Sequence, residues 1–138
     1  MSRSVHRCRL APTPASAGQA RRFVDSVLTD AGVERLAYTA TVLVSELVAN
    51  AVLHTGTHVE LVVEVDGDRA RVEVHDGSAQ LPARKHYSPL SGTGRGLLMV
   101  ERAAAVWGAE TTPAGKVVWF ELGGSAAPVF DVLEADAP

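Results

Sequence analysis

Glu46 and Asn50 stand four residues apart in the otherwise apolar stretch Ser45-Glu46-Leu47-Val48-Ala49-Asn50-Ala51-Val52-Leu53-His54-Thr55-Gly56. On a helix that spacing stacks both side chains on one face. The carboxylate can act as a base or orient water, and the carboxamide offers a neutral oxygen suited to Mg2+. A second cluster is Asp76-Gly77-Ser78 at the end of an apolar strand pattern. A carboxylate there can accept a hydrogen bond from an exocyclic amine such as that of adenine. The third is Gly92-Thr93-Gly94-Arg95-Gly96 opening a helical pattern. Small residues let backbone N–H groups approach phosphate oxygens at a helix N-terminus.

Each cluster alone has an ordinary explanation: a solvated helix face, a turn-forming Asp-Gly and a loose loop end. The glycine run is not the dinucleotide fingerprint, because its third glycine comes one residue early and no strand directly precedes it. It is not a P-loop either, since the Gly-Lys-Ser/Thr ending is absent. The flanks of the first pair, Val42, Leu43, Val44, Leu47, Val48, Ala51, Val52 and Leu53, cover nearly the whole helix circumference. A helix apolar all round is buried, so the pair is expected to be buried or to face a cleft.

The elements that would position these groups are legible from periodicity. Residues 5–10 alternate weakly as a first strand. Thr13 is the expected N-cap and Pro14 the first residue of a helix running to Ala31, with Gly32 as its stop. A second helix is predicted over 34–54, with Leu36, Ala40, Leu43, Leu47 and Ala51 as its apolar stripe and Gly56 as its stop. Period-two alternation follows over 59–65 and 70–74, joined by the turn Asp66-Gly67-Asp68. Residues 79–91 read as a long loop of the kind that often forms a lid. A third helix follows from Leu97, then a strand pair over 106–111 and 116–122 with Pro113-Ala114-Gly115 at its turn. The order predicts an α+β two-layer sandwich, a mixed and mostly antiparallel sheet covered on one face by three helices. Residues 1–122 form the domain and 123–138 a frayed tail.

The 138 residues suffice for one domain with a substantial core. The net charge of -3 argues against nucleic acid as a direct partner, because phosphate contacts call for a basic surface. Cys8 is the only cysteine, so an internal disulfide and a thiolate zinc cluster are ruled out and a reduced, cytoplasmic setting is expected. No segment is expected to span a bilayer, and no membrane partner is expected. Trp107 and Trp119 are expected in the core, and His54 gains from the helix dipole near a C-terminus. His58 and His75 are expected too far apart to form a site.

In this order the clusters resemble the ATP-binding domain shared by gyrase, heat-shock chaperones, histidine kinases and the MutL repair protein, over roughly residues 10–122. Ser45-Glu46-Leu47-Val48-x-Asn50-Ala51, Asp76-Gly77-Ser78-x-x-Leu81-Pro82 and Gly115-Lys116-Val117-Val118-Trp119-Phe120 look most like the bacterial anti-sigma factor serine/threonine kinases. The resemblance implies a Bergerat-type fold with ATP and Mg2+ as ligands. It implies that Asn50 coordinates Mg2+, that Glu46 is the general base and that Asp76, beside Gly77, holds the adenine amine. It implies that Gly92, Gly94 and Gly96, with the backbone of Thr93 and Arg95, line the phosphates. The lid would run from Leu81 to Ser91, carrying Arg84, Lys85 and His86. The implied partners are a sigma factor, a small anti-sigma antagonist protein as phosphoryl acceptor, and a second copy in a homodimer.

The chain departs from the pattern at Ser78 and Gln80, where the wider superfamily has D-x-G-x-G. A closing-strand Thr that helps at adenine is matched to Val117, which implies weaker adenine binding. Two further functions fit the same residues: a non-catalytic ATP-dependent binding switch, and the ATPase half of a histidine kinase, for which the coiled-coil segment with a phosphorylatable His is missing.

Overall fold

The computed structural model describes residues 3–78 and 106–124. The expected lid, Gly92, Thr93, Gly94, Arg95, Gly96, the third helix and residues 125–138 of the tail lie outside the described residues, whereas Gly123, expected to begin the tail, is the last residue of the closing strand. Within them the order is β1 (Arg3–Leu10), α1 (Ser16–Asp30), a 3-10 turn (Glu34–Leu36), α2 (Ala37–Thr55), β2 (Val59–Asp66), β3 (Arg69–Asp76), β4 (Val106–Thr112) and β5 (Gly115–Gly123). The five strands form one sheet in the order β1-β2-β3-β5-β4. Every described pair is antiparallel, so no parallel pair supports the expected mixed sheet. The two-layer α+β architecture is otherwise as predicted, with two α-helices described.

Alternation decides which side chains meet the helices. On β2 and β3 the core face carries Leu61, Val63, Val65, Ala70, Val72 and Val74; on β5 it carries Val118, Phe120 and Leu122. Against this face lie Ala20, Val24, Val27 and Leu28 of α1 and Ala40, Leu43, Val44, Leu47, Val48 and Ala51 of α2. Full burial of one such aliphatic or aromatic side chain contributes about 1.5–3 kcal/mol, which is why this face, and not helix propensity, fixes α2 on the sheet. The opposite face carries charges: Arg71 bonds Glu73 at 2.8 Å and Glu121 at 3.0 Å, and His75 bonds Glu73 at 2.8 Å.

Helix boundaries show where local chemistry differs from expectation. Thr13 is not the N-cap of α1; Ala15 holds that position without a side-chain cap bond. The chain instead makes a turn at Thr13, where the Ser16 N–H donates to the Thr13 carbonyl at 3.0 Å and the Ser16 hydroxyl donates to the Ala11 carbonyl. The C-terminus of α1 closes as a Schellman pair: Val33 N–H to Leu28 O at 2.9 Å and Gly32 N–H to Thr29 O at 3.1 Å. The second helix begins as the 3-10 turn and ends at Gly56, whose φ of 64° is the left-handed stop that a side chain disfavours.

Three expectations are corrected. Contrary to the reading that no segment is fit to span a bilayer, Glu34–Thr55 is long and apolar enough by length and composition: it has 22 residues, and an 18-residue window within it has a mean hydropathy of 1.6. Half of that window is buried inside the protein, and a core helix passes the same test. That helix is not buried all round: Tyr38 is 67% and Leu53 73% exposed. Trp119 is not core either. It lies on the outer face over Gly108, with the Arg71 guanidinium 4.0 Å from its ring centroid, whereas Trp107 does pack against the core.

Candidate functional site

Helix α2 places Glu46 and Asn50 one turn apart, and both are half-buried. Their flanks Leu43, Leu47 and Ala51 are drawn into the core, which fixes the helix rotation and leaves the polar pair at its margin. The helix packs against β2 and β3. Asn50 is five residues before Thr55, about 7.5 Å along the axis at ~1.5 Å per residue. Its distance from the last turn of α2 is therefore short.

That last turn is fastened to the end of β3 by a chain of hydroxyls. Gly77 N–H donates to Thr57 Oγ1 at 2.9 Å, Thr57 and Thr55 hydroxyls lie 2.9 Å apart, and Thr55 Oγ1 donates to the Ala51 carbonyl at 2.7 Å. With Thr55 donating onward, the Thr57 hydroxyl donates to Thr55, and every group in the relay is satisfied. The relay joins the helix that carries Asn50 to the Asp76-Gly77 strand end. Sequence reasoning missed both threonines, because what gives them their role is the Thr57–Gly77 bond, whose partners lie twenty residues apart.

Asp76 is the last residue of β3 and is buried. Ser78 N–H donates to its Oδ1 at 2.8 Å, an Asx turn that holds the carboxylate against the chain leaving the strand. The β3–β5 register sets Asp76 opposite Lys116. The Lys116 ammonium lies 3.0 Å from Oδ2 and 3.3 Å from Oδ1, with side-chain exposures of 12% for the lysine and 3% for the aspartate. Two charges out of water are tolerated because they neutralise each other at contact distance.

This register also corrects the match of Val117 to the adenine-side threonine. Val117 pairs with His75 and faces the outer side of the sheet, whereas Lys116 shares Asp76's side. The closing-strand residue beside Asp76 is therefore Lys116. One residue of slip moves a side chain to the other face, and a run of Lys116-Val117-Val118 gives no sequence mark of which residue faces in.

Gly115 brings β5 close to this strand end. A Cβ on it would sit 2.0 Å from the Asp76 carbonyl oxygen and 2.7 Å from Gly77, so a side chain cannot be accommodated without moving backbone. Gly77 is crowded more gently, with Thr57 Cγ2 3.1 Å from where its Cβ would be.

A cleft of about 430 Å³ opens at the same end of the sheet and reaches Asp76, Gly77, Thr57 and Ala114. It also touches Arg9, Glu60 and His75 of the outer face, so it wraps the strand ends rather than lying under α2. His58 and His75, expected to be far apart, both line it. Among the described residues no group of three His, Cys, Asp or Glu side chains could hold a metal ion. The remaining candidate metal ligand is the neutral oxygen of Asn50, a donor type that Mg2+ accepts alongside phosphate and water oxygens.

The threonine relay links the C-terminal end of α2, the helix that carries Glu46 and Asn50, to Gly77 beside Asp76 at the end of β3. Gly92 to Gly96 fall outside the described residues and are not placed by it. A family model described as a histidine kinase-like ATPase domain matches residues 10–122, which is most of the chain. No curated protein matches it.

Proposed function

The chain belongs to the histidine kinase-like ATPase domain family, and from that premise we propose that it is an anti-sigma factor serine/threonine kinase. Family membership brings ATP binding and the α+β fold. The finer reading rests on Glu46: a carboxylate one helical turn from the metal-binding amide, on the helix that packs against the adenine strand.

The donor set fits Mg-ATP. Asp76 is the buried acceptor that a base amine requires, and the Asn50 carboxamide offers a hard oxygen to Mg2+. Bound ATP would supply the γ-phosphoryl group. Glu46 would accept the proton of a seryl or threonyl hydroxyl as that oxygen bonds to phosphorus and the bond to the bridging oxygen breaks. Asp76 would orient the base and Asn50 the metal, so the chain's main contribution is positioning. The proposed acceptor is a small anti-sigma antagonist protein. A sigma factor is the proposed second partner, a homodimer the proposed assembly and the cytoplasm the proposed location.

The test incubates the protein with γ-labelled ATP, Mg2+ and candidate antagonist proteins, beside a Glu46→Ala variant. Label transferred by the wild type and not by the variant supports the kinase. ATP binding with no transfer to any candidate would overturn it and leave an ATP-dependent binding switch, which needs Asn50 and Asp76 but not Glu46.

A further inference from the structure

We propose that Lys116 reads the nucleotide base together with Asp76, making the pair a two-point detector for the edge of adenine that carries N6 and N1. The inference rests on the reading of Asp76 as the base-binding carboxylate and deepens it.

A carboxylate alone offers only acceptors, so it recognises an amine and nothing beside it. Here an ammonium stands 3.0 Å from one carboxylate oxygen, on the same side of the sheet, at the position where β5 meets the end of β3. Both side chains are nearly out of water, which is an unusual place for a lysine. The carboxylate has room for about four hydrogen bonds. Among the described residues it receives the Ser78 N–H and the Lys116 ammonium. The ammonium has three hydrogens, and its contacts among the described residues are the two carboxylate oxygens. A spare acceptor position and a spare donor therefore sit side by side.

Buried donors and acceptors favour a ligand that satisfies both together. Adenine presents N6–H as donor directly beside N1 as acceptor. The amine would go to Asp76, and N1 would accept from Lys116. The backbone supports the placement. Gly115, next to Lys116, packs so closely on the Asp76 carbonyl and Gly77 that the two strand ends cannot separate without loss of contact. The donor and the acceptor are thus held in a fixed relation before any ligand arrives. A purely structural ion pair predicts no dependence of binding on N1, because it needs no ligand.

The test compares binding of ATP with that of 1-deaza-ATP, in which N1 is replaced by C–H, to the full chain by calorimetry. A hydrogen bond from a charged donor lost inside a dry site is expected to weaken binding about tenfold or more. Lys116→Met is expected to bind both nucleotides alike. Equal binding of the two by the wild type, or discrimination that persists in Lys116→Met, overturns the inference while leaving ATP binding intact. Binding of neither nucleotide by the folded wild type overturns the base-site reading and this inference with it. The wild-type comparison needs no variant, so equal binding of the two nucleotides overturns the inference even where Lys116→Met does not fold.

Discussion

Lys116 and Asp76 form a buried ion pair across β5 and β3, with Nζ to Oδ2 at 3.0 Å, at the point where β3 ends. Removing one partner of such a pair strands the other charge in the interior. Lys116→Met is therefore expected to cost roughly 3–5 kcal/mol in urea unfolding. Replacing both, as in Asp76→Leu with Lys116→Met, is expected to recover much of that loss. A cost below about 1 kcal/mol for the single change would show that the pair is solvated in solution.

Two glycines should respond oppositely to alanine. Gly115→Ala places a methyl group against the Asp76 carbonyl and Gly77 backbone. Overpacking of this kind costs about 1–3 kcal/mol, and more where only backbone can yield. ATP binding should weaken with it, because the displaced strand end is the one that bears Asp76. Gly18 lies within α1, and its nearest neighbours are flexible arginine ends at 3.4 Å and 3.5 Å. Gly18→Ala is expected to stabilise by about 0.5–1 kcal/mol, since alanine loses less backbone entropy in a helix. Thermal melts of the two variants check both signs.

Thr57→Val removes the hydroxyl that accepts from Gly77 N–H and links it to Thr55 at nearly constant volume. The expected loss of stability is about 0.5–1.5 kcal/mol. A larger proportional effect is expected on ATP affinity, because the relay ties the helix bearing Asn50 to the strand bearing Asp76. Unchanged affinity in a folded Thr57→Val variant would show that these elements hold their relation without it.

On the outer face, Glu73 gives a pH signature. Burial alone would raise its pKa, but hydrogen bonds from His75 and Arg71 and their charges outweigh that and hold it below the usual value of 4.5. A carboxyl with a depressed folded-state pKa stabilises the protein above its unfolded pKa, and that contribution fades as pH falls through the folded value. The network is partly exposed, so Glu73→Gln should cost at most about 1 kcal/mol near neutrality. The gap between wild type and variant should close below the folded pKa, in the acid range under 4.5. A gap that stays constant on acidification would place the network's strength elsewhere.

The fold was largely legible because period is a local signal. Leu36, Ala40, Leu43, Leu47 and Ala51 form one stripe, and all are buried as expected. The paired runs flanking Gly67 and those flanking Pro113 and Ala114 are hairpins as expected. Glu46, Asn50 and Asp76 stood out as polar groups in apolar runs. What escaped was set by register and by long-range contact. Lys116 matters only because β5 lies beside β3, Thr57 only because Gly77 comes to it, and Gly115 only because of the backbone it presses on. Apolar flanks on every side of α2 suggested full burial, yet Tyr38 and Leu53 are exposed, since the sheet and α1 cover only part of a helix's circumference.

The most direct measurement is calorimetric Mg-ATP binding to the wild type, Glu46→Gln and Asn50→Ala, each shown to be folded. With Asn50 holding the metal and Glu46 acting only on the acceptor's proton, Glu46→Gln should bind like the wild type. Asn50→Ala should lose about tenfold or more, the scale of one charge-assisted contact. Wild-type affinity in Asn50→Ala would contradict the placement of Mg-ATP on α2.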